Sequence, residues 1–216
     1  MIIASYNQPA LGDVLMILTA PQKGASHYQQ TGDLVRISDD HNQLLGYNLM
    51  HASHYLPELT TYQGQVFLTD GMLAVLNKLI QTADFSDVLT DDHAPRFVVG
   101  YVQTAEPHPD SDHLQVTQTQ IGANPDQTVQ IVSGSPNMQA GIKVVVAKVG
   151  AMMPSGQIIW PGALRGVESD GMIVSGRELA LPNAPQRPGA LILPADFAPV
   201  GTPFDRLAPA AQALFK

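Results

Sequence analysis

The chain opens as a series of short apolar or alternating runs separated by turn residues. Residues 2–6, 14–18, 34–37, 44–49 and 66–68 have the length and aliphatic content of strands. The period then changes. Met72, Val75, Leu76, Leu79, Ile80 and Ala83 recur at i, i+3, i+4, i+7, i+8 and i+11, and Asp70 stands where an N-cap belongs. This stripe predicts one helix whose apolar face lies on a sheet. From residue 97 onward strand patterns return, at 97–102, 113–121, 129–132, 142–149, 158–160 and 172–174, with glycine or proline in nearly every gap. That punctuation predicts a small barrel or sandwich. Parity slips once, since Leu114 and Val116 share a face and Ile121 takes the other, so a bulge or sharp bend is expected between them.

Composition divides the chain at the same place. Of 17 prolines only Pro9, Pro21 and Pro57 precede Pro95, and twelve of the 18 glycines follow it. Residues 1–94 hold three basic and ten acidic side chains, whereas residues 95–216 hold eight and nine, so the acidity belongs to the first part. The stretch 84–95 is polar and acidic and reads as a connection between domains. The expected organisation is an acidic α+β domain over 1–90, an all-β domain over 95–205 and a tail over 206–216. With 216 residues each part can bury a core without disulfides. The absence of cysteine excludes thiolate metal sites and a thiol nucleophile. The longest aliphatic run, Val14–Leu18, is far short of the ~20 residues of a membrane span. The first residues lack the basic region of a secretory signal, so a soluble cytoplasmic protein is expected, with no membrane partner.

Four motifs lie in order along the second part. They are His108-Pro-Asp-Ser-Asp112-His-Leu114, then Gln130-Ile-Val-Ser-Gly-Ser-Pro-Asn137-Met, then Gly141-Ile-Lys-Val-Val-Val-Ala-Lys-Val-Gly-Ala151. The last is Leu164-Arg-Gly-Val-Glu-Ser-Asp-Gly-Met172-Ile-Val-Ser175-Gly-Arg-Glu-Leu-Ala-Leu181. Together they resemble the tRNA-binding OB domain of the endothelial monocyte-activating polypeptide type. That domain also occurs at the C-terminus of methionyl-tRNA synthetases and in the β subunit of bacterial phenylalanyl-tRNA synthetase. With its α+β half in front, the chain resembles stand-alone bacterial proteins of the YtpR type. The resemblance implies a five-stranded Greek-key barrel and tRNA as ligand, and it implies no activity for the first half.

The residues of these motifs can be read on their own chemistry. His108 to His113 offers four potential metal ligands, but a tight loop in which Asp112 accepts from its own backbone suits the two prolines better. Asn137 can read a base edge or ribose hydroxyl, or can close an Asx-type turn. Lys143 and Lys148 have opposite parity and so face opposite sides of a regular strand, and Lys148, next to the Gly150 turn, is the one expected near a ligand. Arg165 offers a planar fork for phosphate or base stacking, or pairs locally with Glu168 or Asp170. Gly166 and Gly171 free the backbone for close approach, while Ser169 and Ser175 add hydroxyl donors. Arg177 completes the expected set of RNA contacts: Arg165, Asn137, Lys148, Ser169, Ser175 and Arg177. Trp160, the single tryptophan, can stack on a base or serve as core.

This chain departs from its relatives' pattern, which places lysines before the Leu-Arg-Gly step where Ile159-Trp-Pro-Gly-Ala163 stands here. Residues 143–187 hold five basic and three acidic side chains. Binding that scales with phosphates neutralised is therefore expected to be weak, salt-sensitive and selective for tRNA structure. No hydrolase elbow, P-loop or zinc helix occurs, so no enzyme, cofactor or metal is expected. Two rivals stand beside the tRNA reading. One is a module docking on an aminoacyl-tRNA synthetase or another translation protein. The other is a hydrolase or metal-dependent enzyme, with His51, His54, His108 or His113 as ligands. A homodimer is a further expectation.

Overall fold

The computed structural model describes residues 1–216, which form two compact units, Met1–His93 and Ala94–Lys216. The first contains β1 (Ile3–Asn7), α1 (Gln8–Leu11), β2 (Val14–Leu18), β3 (His27–Thr31), β4 (Leu34–Ser38) and β5 (Leu44–Met50). After these come α2 (Ala52–Tyr55), a 3-10 turn at Pro57–Thr61, β6 (Gln63–Val66) and α3 (Asp70–Thr82). The strands form one antiparallel sheet in the order β3-β4-β5-β2-β1-β6. Helix α3 supplies Met72, Leu73, Leu76 and Ile80 to the core with Tyr6, Leu15, Ile17, Tyr47 and Leu49 of the sheet. Its N-cap is Thr69, whose hydroxyl accepts from the Met72 N–H at 3.2 Å, rather than Asp70, which sits one residue later in the first turn. The strand expected at 66–68 ends at Val66, because apolarity there marks burial of Val66 and Leu68 while Gln63–Val66 makes the ladder with β1.

The acidic stretch expected to be a free connection is largely part of the first unit. Arg36 projects from β4 to the core side with 8% of its side chain exposed, and its Nε donates to Asp87 Oδ2 at 2.6 Å. Its Nη1 and Nη2 donate to the side-chain and main-chain oxygens of Asn42, and the Tyr47 hydroxyl donates to the same Asp87 oxygen. Phe85 packs on Tyr47, and buried Leu89 is held by both atoms of the Asn77 amide. Arg36 holds the Asp87 carboxyl below its ordinary pKa, against the opposing effect of burial and with help from the Tyr47 hydroxyl. Burial, then Asp87, pushes the Tyr47 phenol up.

The second unit contains β7 (Phe97–Pro107), β8 (Gln115–Gln120), β9 (Thr128–Ser133), β10 (Lys143–Lys148), β11 (Gly162–Leu164), β12 (Val167–Ser169), β13 (Gly171–Ile173) and the single turn α4 (Pro209–Gln212). Five strands form an antiparallel sheet in the order β13-β10-β7-β8-β9. The sheet curls until its edges meet: Asp170 N donates to Gln130 O, and Ser169 Oγ accepts from Val132 N at 3.1 Å. This nearly closed five-stranded barrel is an OB fold. The bulge that lets it curl lies in β7, between Val102 and Thr104, not in β8 where the parity slip pointed. Strand β8 runs in regular register with β9 and faces the interior with Thr117 and Thr119, whose hydroxyls bond to each other and to Ile131 O. Residues 158–160 make only a bridge from Ile158 to Met152.

Strand β10 is apolar on both faces. Val144 and Val146 fill the barrel with Val98, Val102, Ile131 and Ile173. Val145 and Ala147 face outward and are covered by Leu179, Leu181, Leu191, Leu193 and Phe204 from the C-terminal segment. That segment is tied on by Leu193 N to Lys143 O, Val99 N to Thr202 O and Phe204 N to Phe97 O. The residues expected to be a tail belong to this layer: Ala211 is buried, and the Phe215 ring fills the space where a side chain on Gly176 would stand.

The Arg36–Asp87 pair makes the first unit acid-sensitive. Because the folded pKa of Asp87 is depressed, its contribution is complete above the unfolded carboxyl value of ~3.9 and is lost as pH falls through the lower folded value. Asp87→Asn, which leaves the guanidinium without its counter-charge, is expected to cost about 3 kcal/mol at neutral pH. Urea melts from neutral to acid pH check this, since the variant loses the part of the acid dependence that Asp87 supplies.

Candidate functional site

A groove of about 620 Å³ runs along the barrel between the end of β9, the 157–164 segment, β13 and the C-terminal layer. Its lining includes Ser133, Gln157, Trp160, Ser169, Ser175 and Arg177. A second recess of about 380 Å³ shares Ser175, Pro188 and Gly189 with it and is lined by Asn137 and Arg187. Trp160 is partly buried and lines the groove. Arg177 and Arg187 are exposed and pair with no carboxylate. An aromatic face beside unpaired guanidinium groups suits stacking of an unpaired base with its phosphates neutralised nearby.

Arg165 sits beside this groove at the tip of the β11–β12 hairpin. Arg165 and Gly166 have φ of 46° and 84°, the pair of left-handed residues that a type I′ turn requires. Glycine or asparagine takes that conformation at less cost than arginine, by about 1 kcal/mol. Arg165 is exposed, and its Nη1 donates to Asp110 O at 2.7 Å instead of pairing with Glu168 or Asp170. That bond ties the hairpin to the 108–114 turn, and His108 makes a second tie. Buried His108 accepts from Asp110 N at Nδ1 and donates from Nε2 to Leu164 O, both at 3.0 Å. Its ring proton therefore belongs on Nε2. Asp112 is exposed, its carboxyl lowered by the His113 ring and then by its own backbone N–H.

The other expected contacts differ in how much of their polarity is already engaged. Ser169 and Ser175 reach the groove but are buried: Ser169 Oγ closes the barrel, and Ser175 forms a capping box with Glu178. The Asn137 amide pairs with both backbone groups of Ala190, Oδ1 accepting at 2.8 Å and Nδ2 donating at 3.0 Å. It closes no local Asx turn but clamps the 185–190 loop across the barrel mouth. Lys143 Nζ donates to Ala195 O and Ala198 O, whereas Lys148, half-buried at the end of β10 opposite Gly171, has no such partner. Lys148 lines neither recess. The groove thus gathers Ser169, Ser175 and Arg177, with Arg165 beside it and Asn137 in the adjoining recess. Sequence reasoning missed Arg187, which lies in a proline-rich loop that carries no strand or helix pattern.

In the first unit, His51 donates toward Asp33 from a left-handed position, and His54 stacks edge-on against Tyr55 in the single turn α2. No group of three His, Asp or Glu side chains is placed to hold a metal ion. Asp13 accepts from Tyr6, Ser53 N and Ser53 Oγ. Burial alone would raise its carboxyl, and these bonds more than offset that. No helix is long and apolar enough to cross a membrane.

An antiparallel α+β unit followed by an OB barrel with an aromatic, arginine-flanked groove defines a two-domain protein of the OB-fold binding class. Residues 97–203 match the family model described as "Putative tRNA binding domain", and residues 21–92 match a domain of unknown function, DUF4479. Over 199 residues the chain is 41% identical to "Putative tRNA-binding protein YtpR" of Bacillus subtilis (strain 168), covering 90% of this chain and 95% of that protein. The chain belongs to the YtpR family. It is also 55% identical over 84 residues to the phenylalanine–tRNA ligase β subunit of Oceanobacillus iheyensis, covering 39% of this chain and 10% of that subunit. The corresponding subunit of Nitrosospira multiformis is 40% identical over 151 residues, covering 64% and 19%. The chain therefore spans a tenth to a fifth of these synthetase subunits.

Replacing His108 by leucine removes its two hydrogen bonds, to Leu164 O and from Asp110 N, that join the hairpin to the 108–114 turn. The expected cost is about 2 kcal/mol in a urea melt of the chain.

Proposed function

We propose that this protein binds tRNA, without catalysis, through the groove of its OB barrel, and that the binding is weak, salt-sensitive and selective for tRNA structure. The observation that carries the reading is the partly buried Trp160 in a groove flanked by the unpaired Arg177 and Arg187. The groove offers stacking and charge but few free hydrogen-bond groups, because the Ser169, Ser175 and Asn137 side chains are already bonded. Such a surface reads backbone shape and exposed bases in preference to one sequence. Arg165 supports the same reading: it occupies a turn position at some cost and uses one of five donors on Asp110.

The match to the YtpR protein and to the tRNA-binding family model supports tRNA as the ligand, and a cytoplasmic location goes with that ligand. The first unit, with ten acidic and three basic residues up to position 94, repels a polyanion and so limits the orientations in which tRNA can approach. One observation favours a second reading. The small excess of positive charge between residues 143 and 187 also suits a module docked on a synthetase, a protein with its own tRNA site.

Fluorescence anisotropy of labelled bulk tRNA against the full chain across a salt series tests the proposal. With about three arginines on phosphates, log Kobs is expected to fall with log[salt] at a slope of about −2. Arg165→Asn, which keeps the left-handed turn, is expected to reduce the slope and weaken binding. Trp160→Ala is expected to weaken binding about tenfold at every salt concentration. Because Trp160 is the only tryptophan, tRNA is also expected to quench the intrinsic emission. Absence of binding at low salt, with unchanged emission, supports the docking module instead.

A further inference from the structure

Strand β3 is the outermost strand of the first unit's sheet, and its own side chains do not explain why it is there. All five residues, His27–Thr31, are exposed, Tyr28 at 78%. The strand is held by its ladder to β4, whose Leu34, Arg36 and Ser38 are buried. An edge strand presents a row of unpaired N–H and C=O groups, and proteins that avoid pairing there place lysine, proline, a bulge or an inward charge on it. β3 reads His-Tyr-Gln-Gln-Thr and has none of these, and its register with β4 is unbroken. In a unit so rich in carboxylates, the strand contributes none. Its titratable side chains are the exposed Tyr28 phenol and His27, which lies 2.6 Å from Asp40.

We infer that β3 is a pairing edge and that its occupant is the β3 of a second copy of this chain, running antiparallel across a two-fold axis. The register follows from the hairpin. The two-residue turn at Gly32 and Asp33 makes Thr31 and Leu34 a hydrogen-bonded pair. Alternation then directs the backbone groups of Gln29 toward β4 and those of Tyr28 and Gln30 outward. With Gln29 on the axis, Tyr28 meets Gln30 of the second copy, and each such pair exchanges both hydrogen bonds. The facing side chains are then tyrosine with glutamine, histidine with threonine, and glutamine with itself, so no carboxylate meets another. This self-complementarity selects a second copy over a foreign extended peptide. The contact is isologous and closes at two chains. A five-residue pairing falls below the ~1,200 Å² of a stable interface, so the dimer is reversible and is expected at high chain concentration.

Cysteine scanning reads the register directly, because the chain has no cysteine of its own. At a non-hydrogen-bonded pair the Cα atoms are ~4.5 Å apart, within disulfide range. Under mild oxidation at about 100 µM, Gln29→Cys is expected to give a disulfide-linked dimer several-fold faster than Tyr28→Cys or Gln30→Cys, which do not face themselves. Gln30→Pro removes an outward N–H while sparing the β4 ladder, and Gln29→Glu sets like charges on the axis. Both are expected to sediment as monomers where the unaltered chain dimerises. Equal cross-linking rates for the three cysteine variants overturn the inference. So does a dimer that survives Gln30→Pro and Gln29→Glu, or an unaltered chain that is monomeric at that concentration. No tRNA is present in these experiments, so their outcome is independent of the groove.

Discussion

A strand that is apolar on both faces cannot lie on the outside of a barrel without a second layer over it. In β10 the inward Val144 and Val146 and the outward Val145 and Ala147 are all fully buried. Covering the outward pair requires some forty residues that form almost no regular structure, and this requirement shapes the whole second unit. The covering segment is held by the Lys143 ammonium on Ala195 and Ala198, and by the Asn137 amide on Ala190, a group that the sequence offered as a ligand contact. Where its edge stops short of the 157–164 segment, the groove is left. The candidate site is thus a consequence of how the outer core is closed, and Trp160 and Arg177 stand on its two sides because they belong to the two layers.

The first unit is organised by a different constraint. Arg36 brings a positive charge to the buried side of the sheet, and the structure answers it with Asp87, Asn42 and Tyr47. A buried ion pair contributes little net stability, but removing either partner is costly, so it acts as a latch between the sheet and the chain that follows α3. Asp87, Phe85 and Leu89 are thereby committed to the first unit, and the chain is released to the second only near His93.

Periodicity found the elements that bury side chains. The stripe of α3, the alternation in β2 and the apolar runs of β7, β9 and β10 are all places where burial imposes a period. It missed β3, which buries nothing, and the β11–β12 hairpin, whose left-handed Arg165 does not look like a turn residue. It also mistook the buried Leu68 for strand and the docked 206–216 segment for a tail, because apolar residues in irregular layers carry no period. Around the site, residue types were legible while their assignments were not. Arg177 and Arg165 are exposed, as a contact requires, but the polar atoms of Asn137, Ser169 and Ser175 are engaged by backbone and side-chain groups up to 53 positions away or across the barrel seam. Only the Ser175–Glu178 box is a local pattern; nothing near Asn137 or Ser169 in the sequence announces their partners, and the resemblance to the OB family supplied the fold without them.

The proposed function puts tRNA in the groove between the barrel and its covering layer. Photo-cross-linking of bulk tRNA to the full chain, followed by mapping of the modified peptides, tests it most directly. Adducts are expected on Trp160 and its neighbours in 157–165 and on the 175–189 segment, all suppressed by salt. Adducts confined to the first unit, or spread over the barrel with Trp160 untouched, would contradict it.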